Sequence, residues 1–235
     1  LKNDIFTCVD CETTGLDPDT DSIIEIAVVR FSFSEVLQRF ESLVNPKRPI
    51  SAESQAIHHI SDEMVADKPP IQKVLPSVLE IMEYYPIVGH CVSFDIRCIV
   101  NAAKKFGIPC KLEKSKTIDT LRLARHYGNS PINSLEELRK HFNVQYEGAH
   151  RAMSDVLVNI QVFKHLCLNY KKTEELYTIL SNPIRLEKMP LGKHKGRLIK
   201  EIPLAYLKWA AGQNFDQDLS FSLRSEIKKR QKGAN

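Results

Sequence analysis

The stretch Ile5-Phe-Thr-Cys-Val-Asp-Cys-Glu-Thr-Thr-Gly-Leu16 begins as an apolar run and ends in two carboxylates, Asp10 and Glu12, followed by a glycine. The apolar side chains over Ile5–Asp10 predict a buried strand, and Gly15 and Pro18 within Thr13–Asp21 predict the turn that ends it. In an extended chain, residues two apart share a face, so Asp10 and Glu12 project side by side. Two anions held together repel, which costs stability unless a cation sits between them. The same period puts Cys8 and Cys11 on opposite faces, which argues against a shared zinc or redox site, and no second close pair completes a zinc set. The six cysteines therefore read as reduced thiols of a cytoplasmic protein.

Working outward, Ser22–Phe33 and Val36–Val44 predict two more strands, forming an antiparallel meander with the first. Helical spacing covers Ile71–Tyr84, and a short strand, Ile87–Val88, precedes Gly89. Further helices are predicted at Phe94–Phe106, Thr120–Tyr127, Ser134–His141 and Ala152–Tyr170, with Asp119 and Ser134 as N-caps. Strands first, then alternating helices and short strands, give an α/β fold: a mixed sheet flanked by helices. Composition breaks over Ser181–Pro190. The expected organisation is a main domain over 1–180, a linker at 181–190, and a small, mainly helical basic module at 191–235, with helices at Pro203–Ala211 and Asp218–Lys229.

The 235 residues are 43% hydrophobic, enough for a core. No stretch approaches ~18 uninterrupted apolar residues, so no membrane partner is expected. The net charge of +4 hides an asymmetry: residues 169–235 carry 14 Lys and Arg against 7 Asp and Glu, and the body before them is net acidic. A basic tail on an acidic body suggests a polyanionic partner, although solvated surface lysine explains the tail equally well on its own.

Two more carboxylates occupy unusual places. Asp95 heads a helical stripe of Ile99, Ala102 and Phe106, and Asp155 heads Val158, Val162 and Leu166. A carboxylate at the top of a buried stripe needs a partner, and no lysine or arginine is placed to serve all four acids. Hard divalent cations with oxygen ligands are the natural alternative. Taken singly, Asp10 is a plausible turn residue, and Asp95 and Asp155 are plausible helix-start acids. His150 lies five residues before Asp155, about 140° away around a helix, so it belongs to the preceding loop. A histidine there is suited to deprotonate an attacking water.

Three ordered motifs bring these residues together: Asp10-Cys-Glu-Thr-Thr-Gly-Leu16, Gly89-His-Cys-Val-Ser-Phe-Asp95, and His150-Arg-Ala-Met-Ser-Asp155. They resemble the exonuclease motifs of the DEDD superfamily, in the histidine subclass that includes the epsilon proofreading subunit of bacterial DNA polymerase III. The likeness covers about residues 4–168. It implies a ribonuclease H-like fold and 3′→5′ exonuclease activity, with Asp10, Glu12, Asp95 and Asp155 binding two divalent cations, Mg²⁺ or Mn²⁺. In such sites one ion activates the water and the other stabilises the leaving 3′ oxygen. By the same likeness, His150 is the general base and a nucleoside 5′-monophosphate leaves. Thr13, Thr14, Gly15 and Leu16 line the terminal-nucleotide pocket with Phe94, and Glu53, Ile57 and His58 approach the sugar. The plainer alternatives are that Phe94 is core and that His58 and His59 are a loop pair.

One departure is Cys91, where the family usually has asparagine. That residue is not a metal ligand, so the change bears on local hydrogen bonding and end preference. Asp119, in the Thr117–Thr120 turn, reads as a helix cap and not as a fifth ligand. Met189–Gly196, with Tyr206 and Trp209, resembles a small bacterial module attached to some exonucleases. There, Lys193, Lys195, Arg197 and Lys200 combine cations with aromatics, as single-strand binding surfaces do; the competing reading is a helix burying Tyr206 and Trp209. The expected partner is nucleic acid, DNA ahead of RNA, with a DNA polymerase as a further partner. The alternatives are an RNA-trimming exonuclease with the same site and a non-catalytic scaffold of this fold.

Overall fold

A computed structural model describes residues 1–128, 132–145, 151–213 and 215–232. Its centre is a five-stranded sheet in the order β3-β2-β1-β4-β5. The three leading strands, β1 (Phe6–Thr13), β2 (Ile23–Phe31) and β3 (Val36–Leu43), form the antiparallel meander. The last two, β4 (Ile87–Gly89) and β5 (Thr117–Asp119), run parallel to β1. β1 is central because its run is apolar on both faces: Phe6, Thr7, Cys8 and Val9 are all buried. β3 carries Gln38, Arg39 and Glu41 and lies at the edge, where charge discourages pairing with another chain.

Among the described residues up to 180 there are eight α-helices: α1 (Ala52–His58), α2 (Asp62–Val65), α3 (Ile71–Met82), α4 (Ser93–Lys105), α5 (Thr120–Tyr127), α6 (Leu135–His141), α7 (Ala152–Leu166) and α8 (Thr173–Leu180). Val9 and Cys11 face a core shared with Val74, Leu75 and Val78 of α3 and Ile96 and Ile99 of α4. On the opposite face of β1, the Cys8 thiol donates to the Val156 carbonyl of α7 at 3.8 Å. The two cysteines thus point to different layers, and none of the six forms a disulfide. On the α7 side, Phe6, Phe31, Phe33 and Phe163 pack with ring centroids 5.2 to 6.3 Å apart. Burying each ring stabilises the contact of α7 with the sheet by about 1.5–3 kcal/mol.

Several features depart from the expectations. α4 buries Ile96, Ile99, Val100 and Ala103, whereas Phe106 is 41% exposed, so the apolar stripe below Asp95 is rotated from the one read. Thr117–Asp119 is a strand rather than a turn, and α1, α2 and α8 were not anticipated. Asp119 and Ser134 are N-caps: their side chains accept from the N–H groups of Leu121 and Glu137.

The chain forms two compact units, Leu1–Tyr177 and Thr178–Asn235. The second contains α9 (Leu204–Ala210) and α10 (Gln217–Lys232) around a core of Met189, Ile199, Ile202, Leu207, Leu219 and Leu223. Residues 181–190, expected as a linker, belong to this unit. Met189 is in its core, the Ile184 N–H donates to the buried Asp218 carboxylate at 3.0 Å, and the Leu186 N–H donates to Ser222 Oγ at 2.8 Å. Proline and asparagine break regular structure there without breaking the packing. Among the described residues, no helix is long and apolar enough to cross a membrane.

Candidate active site

The site lies at the end of β1. Asp10, Glu12 and Asp155 each offer a carboxylate oxygen, all within 4.8 Å of one another, and all three are half-buried. Strand period brings the first two to one face, and the first turn of α7, seated on that face, adds the third. Asp95, in the first turn of α4, is buried and stands beside this trio, where one of its oxygens accepts the Cys11 N–H at 2.9 Å. His150 lies outside the described residues.

The electrostatics are those of anions crowded out of water. Burial first, then the neighbouring carboxylates of Asp95, Asp155, Glu12 and Glu25, push Asp10 well above the usual range. Burial, followed by Asp155 and Glu25, pushes Glu12 up to about 7, against the pull of Arg151. Asp95 rises to about 8, mainly through burial and in spite of the hydrogen bond from Cys11. Each shift means that the protein groups around these carboxyls disfavour the ionised form. The donor set is all hard oxygen, which suits a hard divalent cation and not a soft metal.

A fifth carboxylate was missed in the sequence. Glu25 lies directly opposite Glu12 in the β1–β2 register, where like charges destabilise. It is buried, and Arg151 clamps it, with Nη2 to Oε1 at 2.6 Å and Nε to Oε1 at 3.0 Å. Its second oxygen accepts the Ala152 N–H at 3.0 Å. The pair therefore pins the start of α7 to β2, one turn before Asp155. The signal was present: a glutamate inside the apolar run Ile23–Val29 is out of place.

Around the carboxylates, the turn after β1 is built to a tight plan. Thr13 Oγ1 donates to the Gly15 carbonyl at 2.6 Å, and Thr14 Oγ1 donates to Asp21 at 2.8 Å. A Cβ on Gly15 would fall 2.4 Å from an Asp21 carboxylate oxygen, so a larger residue there would push the Asp21 side chain off its bonds to Thr14 and Asp17. Asn101 of α4 bonds the Pro18 carbonyl at 2.9 Å, which ties this turn to the helix carrying Asp95. Ser54 of α1 donates to the Thr14 carbonyl at 3.0 Å, bringing Glu53 and Ile57 to the same region. Leu16 is 86% exposed and Ile57 is 53% exposed, so both are apolar surfaces without cover. Phe94 is half-buried against the core. His58 turns inward instead, its Nδ1 accepting the Ile60 N–H at 3.0 Å.

Behind the site, a buried polar chain joins four elements. His90 lies 3.1 Å from Thr120 Oγ1, Thr120 is 2.7 Å from Asn159 Oδ1, and the Asn159 amide reaches the Cys8 sulfur at 3.7 Å. Burial lowers His90 to about 4, so the ring is neutral. Cys91, next in the chain, has a φ of 62°, the left-handed region. That conformation suits asparagine far better than other L residues with a Cβ, which explains the usual asparagine at this motif position.

Residues 7–163 match the exonuclease family (RNase_T), and residues 177–220 match the family described as "Putative quorum-sensing-regulated virulence factor". The PolC-type DNA polymerase III of Caldanaerobacter subterraneus subsp. tengcongensis is 32% identical over 203 residues, 83% of this chain but 14% of that protein. The chain thus spans about one-seventh of that relative's length. Among solved structures, exonuclease X in complex with 5′-overhanging duplex DNA aligns with a TM-score of 0.60 at 29% identity, over 74% of this chain and 98% of that one. E. coli exonuclease I in its single-stranded DNA complex shares the fold, with a TM-score of 0.65 at 20% identity over 76% of this chain and 43% of that one. The chain belongs to the exonuclease family, as a DEDD-type member with a ribonuclease H-like fold.

Proposed function

We propose that the chain is a metal-dependent 3′→5′ exonuclease that removes nucleoside 5′-monophosphates from DNA ends. The observation that carries this reading is the carboxylate trio of Asp10, Glu12 and Asp155 beside Asp95, held together although burial and the neighbouring carboxylates oppose the ionisation of Asp10, Glu12 and Asp95. Those four would hold two divalent cations, Mg²⁺ or Mn²⁺. When bound, such ions supply an acidified water and charge neutralisation at the phosphodiester.

The chain's own residues do the rest. The Thr13–Leu16 turn and the exposed faces of Leu16 and Ile57 receive the terminal nucleotide, with Phe94 behind them and Glu53 toward the sugar. His58 serves here by fixing the loop after α1. The Glu25–Arg151 pair holds α7, and so Asp155, in register with β1. His150, the residue before Arg151, takes the proton of the attacking water. DNA is favoured over RNA because the relative is a DNA polymerase and exonuclease X was solved on DNA. Proofreading or repair alongside a DNA polymerase is the setting this reading favours.

A 5′-labelled oligonucleotide should shorten stepwise with Mg²⁺ or Mn²⁺ and stay intact with EDTA, and Asp10→Ala should abolish shortening. Single-stranded DNA, duplex DNA and RNA run in parallel decide the substrate. Faster digestion of RNA would overturn the DNA assignment, and chelator-resistant digestion would overturn the metal mechanism.

A further inference from the structure

The second unit carries a surface that the exonuclease reading does not use. Trp209, the single tryptophan of the chain, sits on α9 and is 57% exposed, so it is not the core residue that one reading of the sequence favoured. An indole left this open is unusual, because aromatic rings are commonly buried. Its ring lies 5.2 Å from that of Tyr206, and the Tyr206 ring lies 4.4 Å from that of His194 at 83°.

His194 is buried at the middle of the Met189–Arg197 turn. The Met189 N–H donates to the Arg197 carbonyl at 2.9 Å, and the Gly196 N–H donates to the Met189 carbonyl at 2.8 Å, closing that turn. Gly192 approaches Tyr206 so closely that a Cβ would lie 3.1 Å from the hydroxyl. The turn is thus anchored to α9 through its rings. Lys193 and Lys195, on either side of His194, are exposed, as is Arg197, whose Nη1 lies 3.4 Å from His194 Nδ1. The ion pairs described in this unit are both made by Glu226, with Arg185 and Arg230, and use none of these cations. Over 178–235 there are 12 Lys and Arg against 5 Asp and Glu. Of those acids, Asp218 and Glu226 are buried and leave the surface more positive still.

We propose that the His194–Tyr206–Trp209 ladder, with Lys193, Lys195 and Arg197, is a binding site for single-stranded nucleic acid. A base stacks on the open indole, and the backbone phosphates take the cations of the turn. Stacking on an aromatic ring is indifferent to base identity, and the cations track a backbone of any sequence, so the site holds a strand without reading it. An acidic peptide would satisfy the lysines but leave the flat ring unused, and a closed duplex offers phosphates without a free base face. The inference rests on the reading that the chain acts on nucleic acid, yet its readout is independent of hydrolysis.

The test uses the whole chain in EDTA, where no cutting occurs. Because Trp209 is the single tryptophan, its emission reports this surface alone. Oligothymidylate of about 15 nucleotides, enough to fill a site of this kind, should quench that emission saturably, and duplex DNA of equal length should do so weakly. Anisotropy of a labelled oligonucleotide should show about tenfold weaker binding for Trp209→Ala and also for Trp209→Leu, which keeps an apolar side chain. For Lys193→Gln/Lys195→Gln, the slope of log K against log salt should fall by about 1.4, two phosphate contacts' worth. Circular dichroism melts establish that each variant is folded. Unquenched emission while anisotropy reports binding, equal quenching by polyglutamate, or equal quenching by duplex would each overturn the proposal. Failure of the exonuclease reading would show instead as absent digestion with metal while the quenching persists.

Discussion

The carboxylate pocket at the end of β1 and the cationic turn of the second unit both gather like charges, but they do so in opposite physical settings. Asp10, Glu12, Asp95 and Asp155 are half-buried or buried, and burial and the neighbouring carboxylates raise the proton affinities of Asp10, Glu12 and Asp95. Lys193, Lys195 and Arg197 are exposed to water. Repulsion between charges in high dielectric is weak, so an exposed cluster costs little and by itself says little about purpose. Repulsion in a desolvated site is strong, so such a cluster persists only where something draws benefit from it. Function is therefore easier to infer from the acids than from the bases.

The contrast can be broken most sharply with Asp155→Asn. It should take exonuclease turnover to the detection limit while raising the melting temperature of the metal-free protein, because one of the crowded charges is gone. The paired lysine substitutions in the second unit should leave the melting temperature in EDTA unchanged, since those cations are exposed. A lower melting temperature for the aspartate variant in EDTA would mean that the pocket is not strained by its charges.

Glu25→Gln comes next. It keeps the shape of the clamp but loses the charge-assisted bonds to Arg151 and the Ala152 N–H. A residue that orients a ligand is commonly worth 10–100-fold in metal affinity or activity, and a drop of about that size is expected. The Mn²⁺ concentration giving half-maximal rate should rise with it. A fall in rate with the Mn²⁺ midpoint unmoved would show that the clamp does not position Asp155.

The pH dependence of the metal-free protein follows from the raised carboxyls. Glu12, near 7, and Asp95, near 8, keep protons in the folded state that they release near 4.5 and 3.8 when unfolded. Between those limits the unfolded chain binds fewer protons, so stability falls as pH rises from about 4 to about 8 and then levels off. Each kcal/mol of penalty lowers the melting temperature by about 2–4 °C for a protein of this size. Saturating Mg²⁺ should flatten the curve. A profile in EDTA that is already flat from pH 5 to 8 would contradict the crowding.

The smallest effect is expected at Cys91. Replacing it with asparagine should stabilise the protein by about 0.5–1 kcal/mol, because the left-handed backbone there is strained for a cysteine. Urea denaturation measures it, and no gain would locate the cost elsewhere.

Much of this was readable before any coordinates. The strand pattern of Ile5–Asp10 and the helical stripe below Asp155 set the mixed sheet and its flanking helices, since periodicity reports which face is buried. The pairing of Asp10 with Glu12 follows from the same arithmetic, whereas Asp155 joined them through the resemblance of the three motifs. Glu25 stood out locally as a charge inside an apolar run, but its partner, Arg151, lies 126 residues away, and no local pattern reveals a contact of that separation. The helices α1, α2 and α8 were missed because one or two turns give too few repeats for a period to show; α5 and α6 are as short, but the N-caps Asp119 and Ser134 marked their starts. Trp209 lay beyond reach for another reason: an aromatic at helical spacing looks the same whether its ring faces core or solvent.

The clamp between β2 and α7 also bears on how the molecule is made. Residues 10 and 12 leave the ribosome well before residue 155 and the arginine that seats its helix, which emerge only after most of the first unit has been synthesised. The three oxygens cannot meet in a nascent chain until that late helix docks, because the contact closes a loop of more than a hundred residues. Cleavage competence therefore arrives as one of the last events of folding, and a truncated or half-made polypeptide is a harmless one.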